Sequence, residues 1–255
     1  LDVRTRRWSP ELLAAIDPDR VLTLCLPPLL DADASVPIRA ATAESLGLSP
    51  DVRVSVGGGD NMMAAIGTGN VVPGRLTMSL GTSGTLFAHA AQPVVDDAAR
   101  WAAFCASADG WLPLICTMNC TVATETIGRL LGLSTAAREA LLADTAPGAD
   151  GLLLLPFFNG ERTPNLPAGR GCLHGMTPSN MTPAHLVRAA MEGATCSLRS
   201  GYDAFLDAGL RFDTLLLTGG GSRSPAWRQM AADMLDLPVS VPAQPEGAAF
   251  GAALQ

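Results

Sequence analysis

The spacing of hydrophobic and polar positions predicts strands that alternate with helices along most of the chain. The predicted strands are residues 52–56, 76–80, 85–87, 152–155 and 214–218, of which 152–155 is expected to be buried. The predicted helices are residues 8–16, 62–67, 119–131 and 135–143, a long one from Pro183, and one over residues 225–237. This alternation is typical of an α/β layered domain.

Two helix starts carry clear local signals. Thr182-Pro183 and Ser224-Pro225 each combine a hydroxyl that can cap the helix with a proline that suits its first position. Small residues on the inner face of the first helix predict that another element packs close to it: Leu186, Ala189, Ala190, Gly193, Ala194 and Ser197. Residues 159–175, rich in Gly, Pro and Arg, are expected to form a loop.

Composition narrows the class of protein. Of the 255 residues, 48% are hydrophobic and only 16% are charged, which is typical of a folded globular chain. The net charge of −7 argues against a nucleic-acid partner, because phosphate backbones select basic surfaces. No signal peptide is recognised, and no apolar run approaches the roughly 20 residues of a membrane span, so we expect a cytoplasmic protein without a membrane partner.

The absence of lysine excludes several kinds of phosphate site. All 17 basic residues are arginines. A P-loop and a protein-kinase site each need a lysine that reaches the phosphates, and Schiff-base chemistry needs one as nucleophile. If this chain handles ATP, it does so with backbone amides, hydroxyls, arginine and metal, or with a lysine from elsewhere.

The cysteines and histidines show no metal-binding pattern. The six cysteines form no regular framework and are expected to be buried structural thiols. His89, His174 and His185 are widely spaced, so no zinc site is predicted and each is expected to be structural.

Three glycine-rich turns follow predicted strands, at residues 57–61, 81–84 and 219–222. Glycine lets backbone N–H groups converge on an anion without obstruction by Cβ, and a following helix adds partial positive charge. Three such turns in one α/β domain favour a role in binding phosphate over the ordinary role of connecting a strand to a helix.

Asp60 places a carboxylate inside the first of these turns. It could accept a proton from a hydroxyl that attacks phosphorus, or it could cap the helix expected near Met62, and the two roles are compatible. Glu125 and Glu192 are expected to be solvated or structural. The pair Glu161-Arg162 could bind a polar ligand or could simply form an ion pair on the surface.

Taken in order, the motifs resemble the second half of FGGY-family carbohydrate kinases. They are residues 57–61 (Gly-Gly-Gly-Asp-Asn), 79–84 (Ser-Leu-Gly-Thr-Ser-Gly), 160–164 (Gly-Glu-Arg-Thr-Pro), the stretch 171–192, and 219–222 with Trp227-Arg228-Gln229 and Gly247-Ala248-Ala249. The match covers residues 52–255, and within the family the first turn and the 160–164 loop look most like those of xylulokinases.

The resemblance implies the actin-like (ribonuclease-H-like) ATPase domain of a two-domain sugar kinase. Residues 1–50 would be the tail of the N-terminal sugar-binding domain, and residues 51–255 the C-terminal ATP-binding domain, cut short at its end. The family's Asp-x-Gly-Thr phosphate loop is missing. We therefore expect this chain to be part of a longer polypeptide and to be inactive alone, because it supplies only one wall of the cleft.

The resemblance also implies roles for individual residues. Asp60 would be the catalytic base and, with Asn61, would contact the substrate. Gly81 and Thr82 would face the ATP phosphates. The adenosine pocket would be lined by Gly220, Gly221 and Ser222. ATP and Mg²⁺ would be required, with no metal ligand assigned to this chain. Pro225 stands where glycerol kinases of the family place an asparagine near the adenine.

The expected reaction is ATP-dependent phosphorylation of a small sugar, with D-xylulose converted to D-xylulose 5-phosphate as the favoured case. Two alternatives stay open: a kinase for another polyol or sugar such as glycerol, ribulose or fuculose, and an inactive nucleotide-binding remnant. No pattern in the sequence is diagnostic of oligomeric state, so a homodimer also stays open.

Overall fold

The computed structural model describes residues 1–244 and 247–255. The helices are α1 (Pro10–Ile16), α2 (Ala40–Leu46), α3 (Asp60–Thr68), α4 (Thr121–Leu130), α5 (Thr135–Ala143), α6 (Pro183–Asp207), α7 (Pro225–Leu235) and α8 (Gly247–Leu254). The strands are β1 (Ser35–Pro37), β2 (Arg53–Ser55), β3 (Gly74–Leu80), β4 (Gly84–Ala88), β5 (Ala102–Cys105), β6 (Trp111–Thr117), β7 (Leu153–Leu155), β8 (Cys172–His174), β9 (Phe212–Thr218) and β10 (Val239–Ser240).

A mixed six-stranded sheet, in the order β10-β9-β3-β4-β6-β5, organises the molecule. In this order the neighbours β3–β4, β4–β6 and β6–β5 are antiparallel. The neighbours β10–β9 and β9–β3 are parallel. A set of antiparallel strands extended by parallel strands beside β3 is the ribonuclease-H-like arrangement. The predicted α/β actin-like fold is therefore confirmed.

Helices cover both faces of this sheet, because successive side chains of a strand point to opposite sides. Alternate residues of β3, β4, β6 and β9 form the main core with α6, including Leu76, Leu86, Ile115, Leu198, Phe205 and Leu215. The intervening residues of β4 and β6 form a second cluster with α3, made of Met62, Ala65, Phe87, Leu112 and Leu114. The helix that begins at Asp60 is thus packed directly on the sheet.

The long helix α6 has the local structure that its sequence predicted. The Thr182 hydroxyl caps it by accepting the backbone N–H of His185, and Pro183 is its first residue. A Cβ on Gly193 would lie 2.1 Å from the carbonyl oxygen of Leu154, so β7 packs against the helix backbone. The predicted close neighbour of the small-residue face is therefore confirmed.

The prediction of a buried strand at residues 152–155 is wrong in part. Leu154 is buried, but Leu153 and Leu155 are 58% and 50% exposed. The strand pairs only with β8, which lies inside the predicted 159–175 loop, so the main sheet does not cover its second face. A continuous apolar run does not distinguish a strand buried on both faces from a strand of a two-stranded sheet with only one buried face.

The prediction of six buried thiols is also wrong. Only Cys120 is fully buried, and burial raises the pKa of its thiol to about 12. Cys105 and Cys116 are half-buried, and the other three are exposed at Cys25, Cys172 and Cys196. Exposure depends on which face of an element a residue occupies, and residue type alone does not determine that face.

The N-terminal segment packs on the outer part of the sheet. The Trp111 indole donates to the carbonyl of Val3 at 2.7 Å, and the Arg6 guanidinium stacks over the same ring at 4.1 Å. Strands β1 and β2 pair with each other in a separate ladder that leads into α3. Across residues 1–244 and 247–255, no helix has both the length and the apolar composition that a membrane crossing requires.

Helices α3 and α8 pack backbone to backbone through glycines. A Cβ on Gly251 would lie 1.8 Å from the carbonyl oxygen of Met63, and one on Gly67 would lie 1.9 Å from that of Gly247. Side chains at these positions would separate the two helices. This contact holds the middle of the helix that begins at Asp60.

We expect Gly251→Ala to lower the free energy of unfolding by about 1–3 kcal/mol, because the added methyl group overpacks a backbone contact. Urea unfolding of the complete protein measures the change. The matched control is Ala252→Met on the exposed side of α8, which should stay within about 0.5 kcal/mol of wild type. Equal effects of the two substitutions would contradict the packing argument.

Candidate active site

The parallel pairing of β3 with β9 brings two of the three glycine turns together. Both strands end at the same edge of the sheet, where β3 enters residues 81–84 and β9 enters residues 219–222. Gly219 has φ +79°, and a Cβ there would lie 2.7 Å from the carbonyl oxygen of Leu80. Only glycine allows this approach, so the two turns form one continuous surface.

The 81–84 turn is anchored through its carbonyl groups. The carbonyl of Gly81 accepts the backbone N–H of Thr121 at 2.9 Å, and that of Thr82 accepts the backbone N–H of Cys120 at 3.0 Å. Among the described residues, none accepts a hydrogen bond from the amides of Gly81, Thr82 and Ser83. A rigid turn that presents amides and the exposed Thr82 side chain is suited to binding an anion.

The 219–222 turn presents backbone rather than side chains. Gly220 is exposed, and a Cβ there would meet no atom within 4 Å. The Ser222 side chain is buried, and its hydroxyl donates to the carbonyl of Gly219 at 2.7 Å. Pro225 is the first residue of α7, which the Ser224 hydroxyl caps by accepting the backbone N–H of Trp227.

Asp60 does not cap α3, so the predicted capping role is wrong. The helix begins at Asp60 itself and the cap position is Gly59, because three successive glycines let the backbone enter the helix two residues earlier than predicted. The carboxylate accepts the backbone N–H of Asn61 at 2.8 Å and the Asn61 side-chain amide at 3.1 Å. It remains exposed in the first helical turn, where a negative charge is favourable.

A buried asparagine anchors the other end of α3. Asn70 donates to the Thr77 hydroxyl at 2.9 Å and to the carbonyl of Phe87 at 3.1 Å, and it accepts the backbone N–H of His89 at 3.3 Å. Sequence reasoning missed Asn70. Its one local signal was the Gly69-Asn70 pair that ends the helix, since its partners lie on two distant strands.

A cavity of about 510 Å³ lies beside Asp60. Its walls come from the start of α3, from β4, β5 and β6, and from the loops that carry Arg100 and Arg162. Thr85, on β4 just after the 81–84 turn, donates to the Asn61 side chain at 3.5 Å. The 57–61 turn therefore contacts the β3–β4 hairpin through this hydrogen bond. It is not part of the sheet edge formed by the other two glycine turns.

Glu161 is an internal anchor, so the surface ion pair considered from the sequence is wrong. It is 2% exposed and accepts hydrogen bonds from the backbone N–H of Met118 at 2.5 Å, the Asn119 amide at 3.1 Å and the backbone N–H of Arg162 at 2.8 Å. These donors compensate the buried charge. The exposed Arg162 side chain forms no ion pair with Glu161 and lines the cavity.

Glu125, Glu192 and His185 have structural contacts of the kind that the sequence predicted. Glu192 pairs with Arg188 at 2.7 Å, and Glu125 pairs with Arg138 at 2.5 Å. His185 hydrogen-bonds to the hydroxyl of Thr182 at 2.9 Å. Within the described part of the chain, no three His, Cys, Asp or Glu side chains gather into a group that could hold a metal ion.

Comparison with known families decides the identity of the fold. The C-terminal domain of the FGGY family of carbohydrate kinases matches residues 76–255, and the N-terminal domain of the same family matches residues 1–67. The chain belongs to the FGGY family of carbohydrate kinases. The two family domains meet between residues 67 and 76, while the division at residue 50 made from the sequence stays a prediction.

Several of the similar proteins are named xylulose kinases. A xylulose kinase of Haemophilus influenzae is 43% identical over 255 residues, which are 100% of this chain and 52% of the relative. The solved structure of a xyloylose kinase from Brucella ovis is 33% identical with a TM-score of 0.91, covering 99% of this chain and 52% of that one. A xylulose kinase structure from Bifidobacterium adolescentis is 35% identical with a TM-score of 0.77, covering 89% and 45%.

This FGGY chain spans about half the length of the curated relatives that it matches. The other half of such relatives has no counterpart among these 255 residues. Activity and substrate therefore concern the complete protein that contains this chain.

Proposed function

We propose that the complete protein transfers the γ-phosphoryl group of ATP to a hydroxyl of D-xylulose. The observation that carries this proposal is the exposed carboxylate of Asp60, which lines a cavity beside the β3–β4 hairpin. The turn of this hairpin presents amides that donate to no acceptor among the described residues. A proton acceptor near an anion-binding turn is what phosphoryl transfer to an alcohol requires.

In the proposed reaction Asp60 accepts the proton of the sugar hydroxyl. The sugar oxygen forms a bond to the γ-phosphorus while the bond from that phosphorus to the bridging oxygen breaks, which releases ADP. Asn61 hydrogen-bonds to the Asp60 carboxylate and lines the same cavity, so we assign it to the sugar subsite.

ATP would lie along the edge of the sheet formed by the two glycine turns. Gly81 and Thr82 would bind its phosphates through amides and the Thr82 hydroxyl, and Gly220 and Gly221 would line the adenosine subsite. Ser222 would contribute to that subsite through its backbone, since its hydroxyl already donates to Gly219.

The oxygen donors of the site are compatible with a Mg²⁺ ion carried by ATP. Mg²⁺ is usually held by one or two carboxylates together with substrate phosphates and water. The exposed Thr82 hydroxyl would be one oxygen donor beside the phosphates, whereas the Asp60 carboxylate is assigned to the proton of the sugar. When bound, the ion would neutralise charge on the phosphates.

D-Xylulose is favoured as the substrate because relatives 43% and 40% identical to this chain are named xylulose kinases. A panel of D-xylulose, ribulose, fuculose and glycerol with the complete protein, ranked by kcat/KM, tests this choice. If another sugar of the panel has a higher kcat/KM, that sugar replaces D-xylulose as the proposed substrate. ATP binding without turnover of any member would favour a nucleotide-binding remnant.

Asp60→Asn should lower kcat for the preferred sugar by about 10²–10⁴-fold, because the variant keeps the shape of the side chain but cannot take up the proton. Steady-state kinetics and ATP calorimetry of the complete protein measure turnover and nucleotide binding separately. ATP affinity should change little. The matched control is Asp51→Asn, an exposed carboxylate before β2, which should behave as wild type.

Thr82→Val should weaken ATP binding about 10-fold or more, because a hydrogen bond to a charged phosphate is worth about 1.5–3 kcal/mol. The KM for ATP and calorimetric ATP affinity provide the measurement, with the exposed Thr42→Val on α2 as the control. Unchanged ATP kinetics would exclude the Thr82 hydroxyl from the phosphate site.

A further inference from the structure

Two arginines line the cavity beside Asp60, and their surroundings differ. Arg100 is committed to protein contacts, since it pairs with Asp96 through two nitrogens at 2.9 and 3.1 Å and stacks over the Trp101 ring at 5.2 Å. Arg162 forms no ion pair with any described residue, and no described oxygen accepts a hydrogen bond from its guanidinium. Arg162 therefore has a charge available for a ligand.

The backbone of Arg162 is held in place, while its side chain is exposed. Burial raises the pKa of the Cys116 thiol on the cavity wall, and the nearby Arg162 guanidinium opposes that rise. The backbone N–H of Arg162 is bonded to the buried Glu161 carboxylate at 2.8 Å. Glu161 thus fixes the backbone from which the guanidinium extends.

The Arg162 loop and the 81–84 turn share one support, residues 118–122. Within this segment, Met118 and Asn119 donate to Glu161, while Cys120 and Thr121 donate to the carbonyls of the turn. Asn119 also donates to the carbonyl of Gly160 at 2.7 Å and is fully buried. The segment therefore anchors both the loop that carries Arg162 and the turn whose amides are proposed for the phosphates.

Arginine is well suited to a phosphoryl ligand at this place. Its planar guanidinium can donate two parallel hydrogen bonds to phosphate oxygens, and it stays charged at all physiological pH values. The chain contains no lysine that could supply this charge instead. The cavity also contains Asp60, so a phosphoryl group moving towards the sugar hydroxyl would pass beside Arg162.

We propose that Arg162 is a catalytic residue that binds the oxygens of the phosphoryl group during transfer and in the phosphorylated product. The inference rests on the proposed kinase function. Arg162 exchanges no proton: Asp60 takes the hydroxyl proton, the sugar oxygen bonds to phosphorus, and the bond to the ADP oxygen breaks. The guanidinium stabilises negative charge that the unphosphorylated sugar lacks, so its effect falls on kcat and on product affinity.

The test compares Arg162→Gln and Arg162→Ala with wild type in the complete protein. We expect kcat to fall about 100-fold or more, while the KM values for sugar and ATP change by less than about threefold. Affinity for the sugar phosphate should fall about tenfold or more, with that for the free sugar unchanged. Added guanidinium ion should restore part of the activity of Arg162→Ala and none of that of Asp60→Asn.

The matched control is Arg170→Gln on the same loop. Arg170 is exposed and bonds only to the carbonyls of Ala168 and Gly169 among the described residues, so its loss should leave kcat unchanged. Thermal unfolding of all variants should match wild type, because the exposed Arg162 guanidinium forms no ion pair and no hydrogen bond to oxygen among the described residues.

Three results would overturn the inference. The first is a kcat of the Arg162 variants within about threefold of wild type. The second is a loss explained by a higher KM for the sugar, which would make Arg162 a sugar ligand. The third is a lower melting temperature without rescue by guanidinium, which would make its role structural. If the complete wild-type protein phosphorylates no sugar, the proposed function is overturned, and the inference about Arg162 with it.

Discussion

The parallel pairing of β3 with β9 is the constraint on which the site depends. It places residues 81–84 and 219–222 at one edge of the sheet, although more than 130 residues separate them along the chain. The pairing requires glycine at position 219, because any Cβ there would meet the backbone of Leu80. Ligands of α/β sheets bind at such carboxyl edges, where backbone groups are free.

A second set of contacts turns this edge into a rigid site. Segment 118–122 lies at the junction of β6 and α4. Its backbone N–H groups donate to the carbonyls of the 81–84 turn and to the Glu161 carboxylate, which anchors the Arg162 loop. On the opposite face of the sheet, Asn70 and the glycine contacts with α8 hold the helix that begins at Asp60. The backbones that carry Asp60, the 81–84 amides and Arg162 are therefore each held by buried polar or backbone contacts, as the proposed charge stabilisation requires.

The incorrect predictions have two physical causes, one local and one tertiary. Asp60 was expected to cap a helix, but the glycines before it moved the helix start by two residues. Leu153 and Leu155 were expected to be buried, but their strand lies outside the main sheet. Glu161 was considered for a surface pair, but partners more than 40 residues away draw it into the interior. The errors at Leu153, Leu155 and Glu161 concern surroundings that no local pattern contains, whereas the error at Asp60 concerns the adjacent glycines.

The sequence by itself determined the α/β class, the helix starts at Pro183 and Pro225, the β3–β4 hairpin and the ordered motifs that place the chain among FGGY kinases. These features depend on hydrophobic period, capping chemistry and glycine spacing, all of which are local. Only the tertiary structure decided which turns meet, what anchors Glu161 and Asn70, and which arginine beside Asp60 remains uncommitted. Those features depend on pairing between distant strands, which side-chain periodicity does not specify.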